Sequence, residues 1–67
     1  MLTLTQQQAR VFDLFVKQRN NMKEIALTLG VSYSRIINIL NEILIKTGFK
    51  SRNELLIKGV DLEFEVK

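Results

Sequence analysis

The chain has 67 residues, too few for more than one domain, and it contains neither cysteine nor histidine. Disulfide bonds, thiol nucleophiles and the common Cys/His zinc sites are therefore excluded, and few groups remain that titrate near neutral pH. Nine of the ten Lys/Arg but only four of the seven Asp/Glu lie in residues 1–60, which gives +5 there and −2 in the last seven residues. We expect a binding protein with a polyanionic partner, not an enzyme, and no cofactor or metal.

Membrane association is not predicted. No apolar run reaches the ~18 residues that a transmembrane helix needs, and the first residues lack the basic and then apolar order of a signal peptide. The sequence predicts a cytoplasmic protein. Because its core is small, such a chain gains stability from self-association.

The first helix is predicted from about residue 6 to residue 17. Thr5 and Gln8 have the spacing of a capping box, in which each side chain accepts a hydrogen bond from the other residue's backbone N–H. Apolar residues follow at helical spacing: Val11, Phe12, Leu14, Phe15 and Val16. The polar residues 18–21 then predict a loop.

Two further helices are predicted on either side of a short turn. The second helix has one apolar face, formed by Met22, Ile25, Ala26 and Leu29. Gly30 follows where a left-handed residue commonly ends a helix, Val31 supplies an apolar plug, and Ser32 is a good N-cap for a third helix over about 33–47. This order is typical of a helix-turn-helix.

The third helix has an inward and an outward face when residues advance by about 100° each. The inward face contains Ile36, Leu40, Ile43 and Thr47. The outward face contains Ser34, Arg35, Asn38, Asn41, Glu42 and Ile45. A wide buried stripe accounts for Ile39 and Leu44 as well, but Ile45 lies opposite the core, which indicates contact with another protein or subunit.

A fourth helix is predicted after Gly48. Ser51 and Glu54 have capping-box spacing, and the helix continues to Gly59. Apolar and charged residues then alternate to the end of the chain, a period of two that predicts a short strand. The fold class is therefore all-α, a single four-helix domain over 1–67 with its core at 4–60, an alternating tail at 61–67 and a possible short C-terminal β-strand.

Residues 4–60 resemble the LuxR/GerE family of DNA-binding domains. The matching parts are Leu4-Thr5, Lys23-Glu24-Ile25-Ala26, Leu29-Gly30-Val31-Ser32 and, most specifically, Lys46-Thr47-Gly48-Phe49-Lys50-Ser51-Arg52-Asn53-Glu54-Leu55. The chain length is similar to that of short, stand-alone GerE-type regulators. The fourth region of sigma factors also resembles the second helix and the turn, but that region usually ends near its recognition helix, whereas a capped helix follows here. The resemblance implies a bacterial transcription regulator.

The resemblance implies that the third helix enters the major groove of double-stranded DNA. Side chains expected to contact bases are Arg35, Ile37, Asn38 and Asn41, because Arg suits guanine, Asn suits adenine and an apolar group suits a thymine methyl. Side chains expected to contact phosphates are Thr5, Lys23, Ser32, Tyr33, Lys46, Lys50 and Arg52.

The sequence departs from the family pattern at several positions. Ile37 and Ile39 stand where the family typically has Lys and His, Thr47 stands where it usually has a buried Leu, and the loop before Lys23 is one residue longer. Loss of the Lys removes one contact to DNA, so we expect affinity or target choice to differ from the family norm.

The resemblance also implies a homodimer that pairs through its fourth helix. Apolar residues that so small a core is not expected to cover would form the interface: Leu55, Leu56, Ile57, Leu62 and Phe64. The tail would add a strand along the partner or against Leu2 and Leu4 of its own chain. A second class of function stays open, a protein-binding module of the same fold that acts as an antagonist or co-regulator of another transcription factor. No small-molecule ligand is expected.

Overall fold

The computed structural model describes residues 2–67, which are mostly helical and agree with the predicted all-α class. The helices are α1 (Gln6–Phe12), α2 (Met22–Leu29), α3 (Tyr33–Thr47) and α4 (Arg52–Lys58); a π-helical turn (Asp13–Lys17) continues α1 and a 3₁₀ turn (Gly59–Asp61) follows α4. Two short strands, β1 (Thr3–Leu4) and β2 (Glu65–Val66), lie at the two ends of the chain. None of the helices within 2–67 is long and apolar enough to cross a membrane.

Side-chain caps fix where α1 and α2 begin. The predicted capping box of α1 is confirmed, since Thr5 Oγ1 accepts from the Gln8 N–H at 3.2 Å and Gln8 Oε1 accepts from the Thr5 N–H at 3.0 Å. A second box, which sequence reasoning missed, starts α2: Asn21 Oδ1 accepts from the Glu24 N–H at 2.8 Å and the Glu24 carboxylate accepts from the Asn21 N–H at 3.0 Å. Both boxes satisfy backbone donors that a helix start leaves free.

The predicted capping box of α4 is only half formed. Ser51 Oγ accepts from the Glu54 N–H at 3.1 Å, as expected for an N-cap. The Glu54 carboxylate, however, accepts from the backbone N–H of Lys50 at 3.4 Å and not from that of Ser51. The cap is therefore in the predicted place, but the reciprocal bond reaches one residue further back.

The connection between α2 and α3 has the predicted conformation. Gly30 ends α2 in the left-handed region, with φ of 68°. Val31 packs, half-buried, against the core, and Ser32 Oγ accepts from the Arg35 N–H at 3.1 Å. Three residues therefore separate two helices that pack against one another.

The last turn of the first helix is wider than an α-helical turn. Residues Asp13–Lys17 form a π-helix, and the Gln18 N–H donates to the Asp13 carbonyl five residues back at 3.1 Å. Arg19 then reverses the chain with φ of 59°. The predicted bounds of the first helix are confirmed. The π-helical geometry of its last turn was not predicted, because hydrophobic spacing alone does not separate the two geometries.

The core collects one face of each α-helix together with β1. Its buried apolar residues are Leu4, Val11, Phe12, Phe15, Val16, Ile25, Ala26, Ile36, Ile39, Leu40, Ile43 and Leu55. Thr47, expected inward, is half-buried, and its hydroxyl donates to the Ile43 carbonyl at 2.9 Å. That intrahelical bond satisfies the hydroxyl donor at a position where the LuxR/GerE pattern usually has a buried Leu.

The two ends of the chain meet in a parallel strand pair. Thr3 is in register with Glu65 and Leu4 with Val66, and the Glu65 N–H donates to the Leu2 carbonyl at 2.9 Å. Before β2, Phe64 packs edge-on against Phe12, with ring centroids 5.0 Å apart. Of the two places expected for the tail strand, the structure has the one against Leu2 and Leu4 of its own chain.

Candidate nucleic-acid interface

The outward side of α3 presents polar side chains to solvent. Arg35, Asn38 and Asn41 are all exposed, as the helical spacing predicts. Ile37 is half-buried, so less of its side chain is open than for the other three residues expected to touch bases. The structure therefore brings together one guanidinium and two carboxamides along the outer surface of one helix.

Arg35 is held from the side by α1. Its Nη2 donates to Oε1 of Gln7 at 2.7 Å, a contact between residues 28 positions apart. The carboxamide nitrogen of Gln7 takes no part in this bond and is a further donor beside the guanidinium. Sequence reasoning missed Gln7, because nothing in the run of three glutamines indicates which of them bond to side chains of α3.

A polar network joins α1 to the second half of α3. Gln8, only 6% exposed, accepts at Oε1 from the Lys46 ammonium at 2.8 Å and donates from Nε2 to the Glu42 carboxylate at 3.0 Å. Lys46 also donates to the Thr3 carbonyl at 3.1 Å. The same Gln8 oxygen accepts from the Thr5 N–H, so three polar groups meet at this one carboxamide.

The residues expected to contact phosphates fall into separate groups. Lys46 and Thr5 lie in the Gln8 network, where the Lys46 ammonium already has two acceptors and the Thr5 side chain caps α1. Lys23 and Tyr33 line a shallow groove of about 320 Å³ at the start of α2. Arg52 reaches the same place from α4, with its Nη1 3.4 Å from the sulfur of Met22, which also lines the groove. These three cationic or hydroxyl-bearing side chains surround the beginning of both α2 and α3.

The remaining two members of this set stand apart from those groups. Ser32 is exposed but its hydroxyl oxygen caps α3, which leaves the hydroxyl proton free to donate. Lys50 is exposed between α3 and α4. Both residues lie in turns that the sequence predicted, Ser32 before α3 and Lys50 after it.

The expected fourth-helix dimer surface is smaller than the sequence indicated. Leu55 is fully buried in the core of its own chain, so its side chain is not available to a partner. Leu56, Leu62 and Phe64 are half-buried against the same core, and Ile57 is 65% exposed. The domain covers Leu55 fully and Leu56, Leu62 and Phe64 in part, so the premise that it is too small to cover this set holds only for Ile57.

Two aliphatic side chains on other surfaces are more exposed than Ile57. Ile45 on α3 is 82% exposed, in agreement with its predicted position opposite the core, and Leu27 on α2 is 83% exposed. Helical spacing identified Ile45 correctly. Leu27 was not singled out, although the same rule places it opposite the buried positions of α2.

Comparison with known proteins gave no match. No family model fits the chain, and no similar protein was found among curated sequences or solved structures. The LuxR/GerE resemblance therefore rests on the motifs themselves, and the function is argued from the geometry of this surface.

Proposed function

We propose that the protein is a helix-turn-helix transcription regulator that binds double-stranded DNA, with α3 in the major groove. The observation that carries the proposal is the exposed polar side of α3 behind a three-residue turn from α2. The major groove of B-DNA admits one α-helix, whose exposed side chains then reach base edges. At 15 residues, α3 is the longest helix, and its opposite side is anchored in the core.

The charge distribution supports this orientation. Lys23 and Arg52 flank the beginning of α3, and Lys50 follows its end. Of the acidic residues of the tail, Glu65 lies instead beside β1, in register with Thr3. A surface with cations around a central helix favours a phosphate backbone on both sides of that helix.

Three polar residues of α3 have a suitable role in reading bases. Arg35, steadied by Gln7, can donate two hydrogen bonds to a guanine edge, and Asn38 and Asn41 can each pair with adenine. Ile37 has part of its side chain open for a thymine methyl. The absence of a Lys at this position leaves direct readout to the Arg and the two Asn.

A salt-dependent DNA titration tests this function. Binding of the protein to a labelled random-sequence duplex is measured from about 50 to about 200 mM salt, and we expect affinity to fall steeply because bound cations displace counterions. Lys50→Gln should flatten the slope by about one unit. Lys17→Gln, a matched exposed lysine at the end of the first helix, should leave the slope unchanged. No binding at the lowest salt contradicts the proposal.

A second candidate is a protein-binding module that acts on another transcription regulator. The exposure of Ile45 on the side of α3 away from the core favours it, since an aliphatic group in that place is suited to a protein surface. The salt-dependent DNA titration distinguishes the two candidate functions. Absence of DNA binding at low salt, combined with a folded protein, favours the protein-binding role.

A further inference from the structure

The outer edge of β2 is an open strand edge. Glu65 and Lys67 direct their backbone N–H groups to the carbonyls of Leu2 and Leu4. Val66 lies between them and therefore directs its own N–H and carbonyl to the other side, away from β1. The far edge of β1 differs, because the Thr3 carbonyl there accepts from Lys46. Only β2 thus offers an edge for a further strand within residues 2–67.

This edge lies beside the outer face of α1. A groove of about 430 Å³ separates them, and it is lined by Gln6, Ala9, Arg10, Asp13 and Val66. Gln6, Ala9 and Arg10 of α1 and Asp13, the first residue of the π-helical turn, recur at spacings of three and four. They form one stripe on the side of the first helix opposite its buried face. The Val66 side chain, 55% exposed, borders this stripe.

The charges of this surface are balanced, unlike those of the rest of the chain. Arg10 and Asp13 lie one helical turn apart on the stripe, and Glu65 and Lys67 stand on either side of Val66. Each cation therefore has an anion two or three positions away in the sequence. A patch with this pattern is complementary to itself after a two-fold rotation, which is the requirement for an isologous interface.

We infer that two copies of the chain pair through the β2 edge and the outer face of α1. The two β2 strands run antiparallel, with Val66 opposite Val66 of the second copy, so each Val66 N–H donates to the other Val66 carbonyl. This register places Glu65 opposite Lys67 of the second copy on both sides. On the helix stripe, Arg10 faces Asp13 of the second copy. The four strands then form one sheet across the two-fold axis.

The pairing uses residues other than those proposed to contact DNA. Gln7, which holds Arg35, points about 100° away from Gln6 around α1 and lies outside the stripe. The interface also differs from the fourth helix, where Ile57 is exposed. One strand pair and one helix stripe form a small contact, so the dimer is weak in solution, and binding of both copies to adjacent DNA sites would strengthen it. The inference does not depend on the DNA-binding proposal.

Sedimentation equilibrium of the intact chain without DNA tests the interface from about 10 to about 500 µM, where we expect a monomer–dimer equilibrium. Val66→Pro removes the N–H that points away from β1, but the N–H groups of Glu65 and Lys67 still donate to β1. We expect this variant to dimerise at least tenfold more weakly. Ile57→Ser, the matched change of an exposed aliphatic residue on α4, should have no effect. The inference is overturned if the Ile57 variant loses the dimer while the Val66 variant keeps it. It is also overturned if the intact chain is a monomer over the whole concentration range.

A charge exchange tests the helix stripe without a change in the strand. Arg10→Glu and Asp13→Arg each place like charges opposite one another in the pair, so each variant alone should dimerise about fivefold or more weakly than the parent. An equimolar mixture restores opposite charges at both contacts and should recover a heterodimer. Both residues are exposed, so neither variant disturbs the core. A mixture no tighter than either variant alone contradicts the stripe as an interface.

Discussion

The two sides of α3 are subject to different physical constraints. On the inner side Ile36, Ile39, Leu40 and Ile43 are fully buried, and neighbours from the core surround each of them. The polar residues on the outer side are exposed, and two of them bond to α1: Arg35 to Gln7 and Glu42 to Gln8. Inner substitutions therefore report on the fold, whereas outer substitutions report on binding. The two effects are therefore separable within a single helix.

The largest expected effect is on the inner side. Leu40→Ala removes a fully buried side chain and leaves a cavity, which should lower the free energy of unfolding by ~2 to 5 kcal/mol. Urea denaturation measures this loss. In so small a domain, a change of that size unfolds much of the protein. A loss below ~1 kcal/mol would show that the inner side of α3 is not packed as described.

On the outer side, Asn38→Ala should leave stability unchanged and weaken binding to a selected DNA site by ~1 to 3 kcal/mol. Binding to random DNA should be nearly unaffected, because a base contact is lost and no phosphate contact. Anisotropy titrations with both duplexes, beside a thermal melt, give the comparison. Equal losses on both duplexes would remove Asn38 from the base-reading residues.

The Gln8 network connects the two sides, and its loss should affect stability. Gln8→Ala leaves the Thr5 N–H, the Glu42 carboxylate and the Lys46 ammonium without their shared partner. We expect a cost of ~1 to 3 kcal/mol in the free energy of unfolding. Gln6→Ala, a matched change at an exposed position of the same helix, should cost little. Equal melting temperatures for the two variants would contradict the network.

The smallest effect is expected at Gln7. Gln7→Ala frees the Arg35 guanidinium without removing it, so specific DNA binding should weaken by ~0.5 to 1.5 kcal/mol. In an Arg35→Ala background the same change should have no further effect, since the two side chains act together. Additive losses in this double-mutant cycle would show that Gln7 does not act through Arg35.

Local features were predictable from the sequence. The helix bounds, the left-handed Gly30 and the Ser32 and Ser51 caps depend on residues within a few positions of each other. The Asn21 capping box was equally local and was missed, although Glu24 stands at the required spacing. Recognition of that spacing would have predicted Asn21 as the N-cap of α2 and Met22 as its first residue.

Long-range contacts were not predictable in this way. Lys46 bonds to Thr3 across 43 positions, and Arg35 bonds to Gln7 across 28. Helical spacing placed both cations correctly on α3 but could not show which neighbours α1 brings to them. Leu55 was misplaced for a related reason, because its burial depends on how α4 packs against the rest of the chain.

An NMR titration of the amide groups tests most directly whether the outer side of α3 binds DNA. A short duplex is added at low salt to the isotopically labelled chain, and shift changes are followed for residues 2–67. We expect the largest changes along the outer side of α3, from Ser34 to Asn41, and around Lys23 and Lys50, with small changes at Ile57 and Val66. Changes confined to α4 and β2, or none at all, would contradict the account.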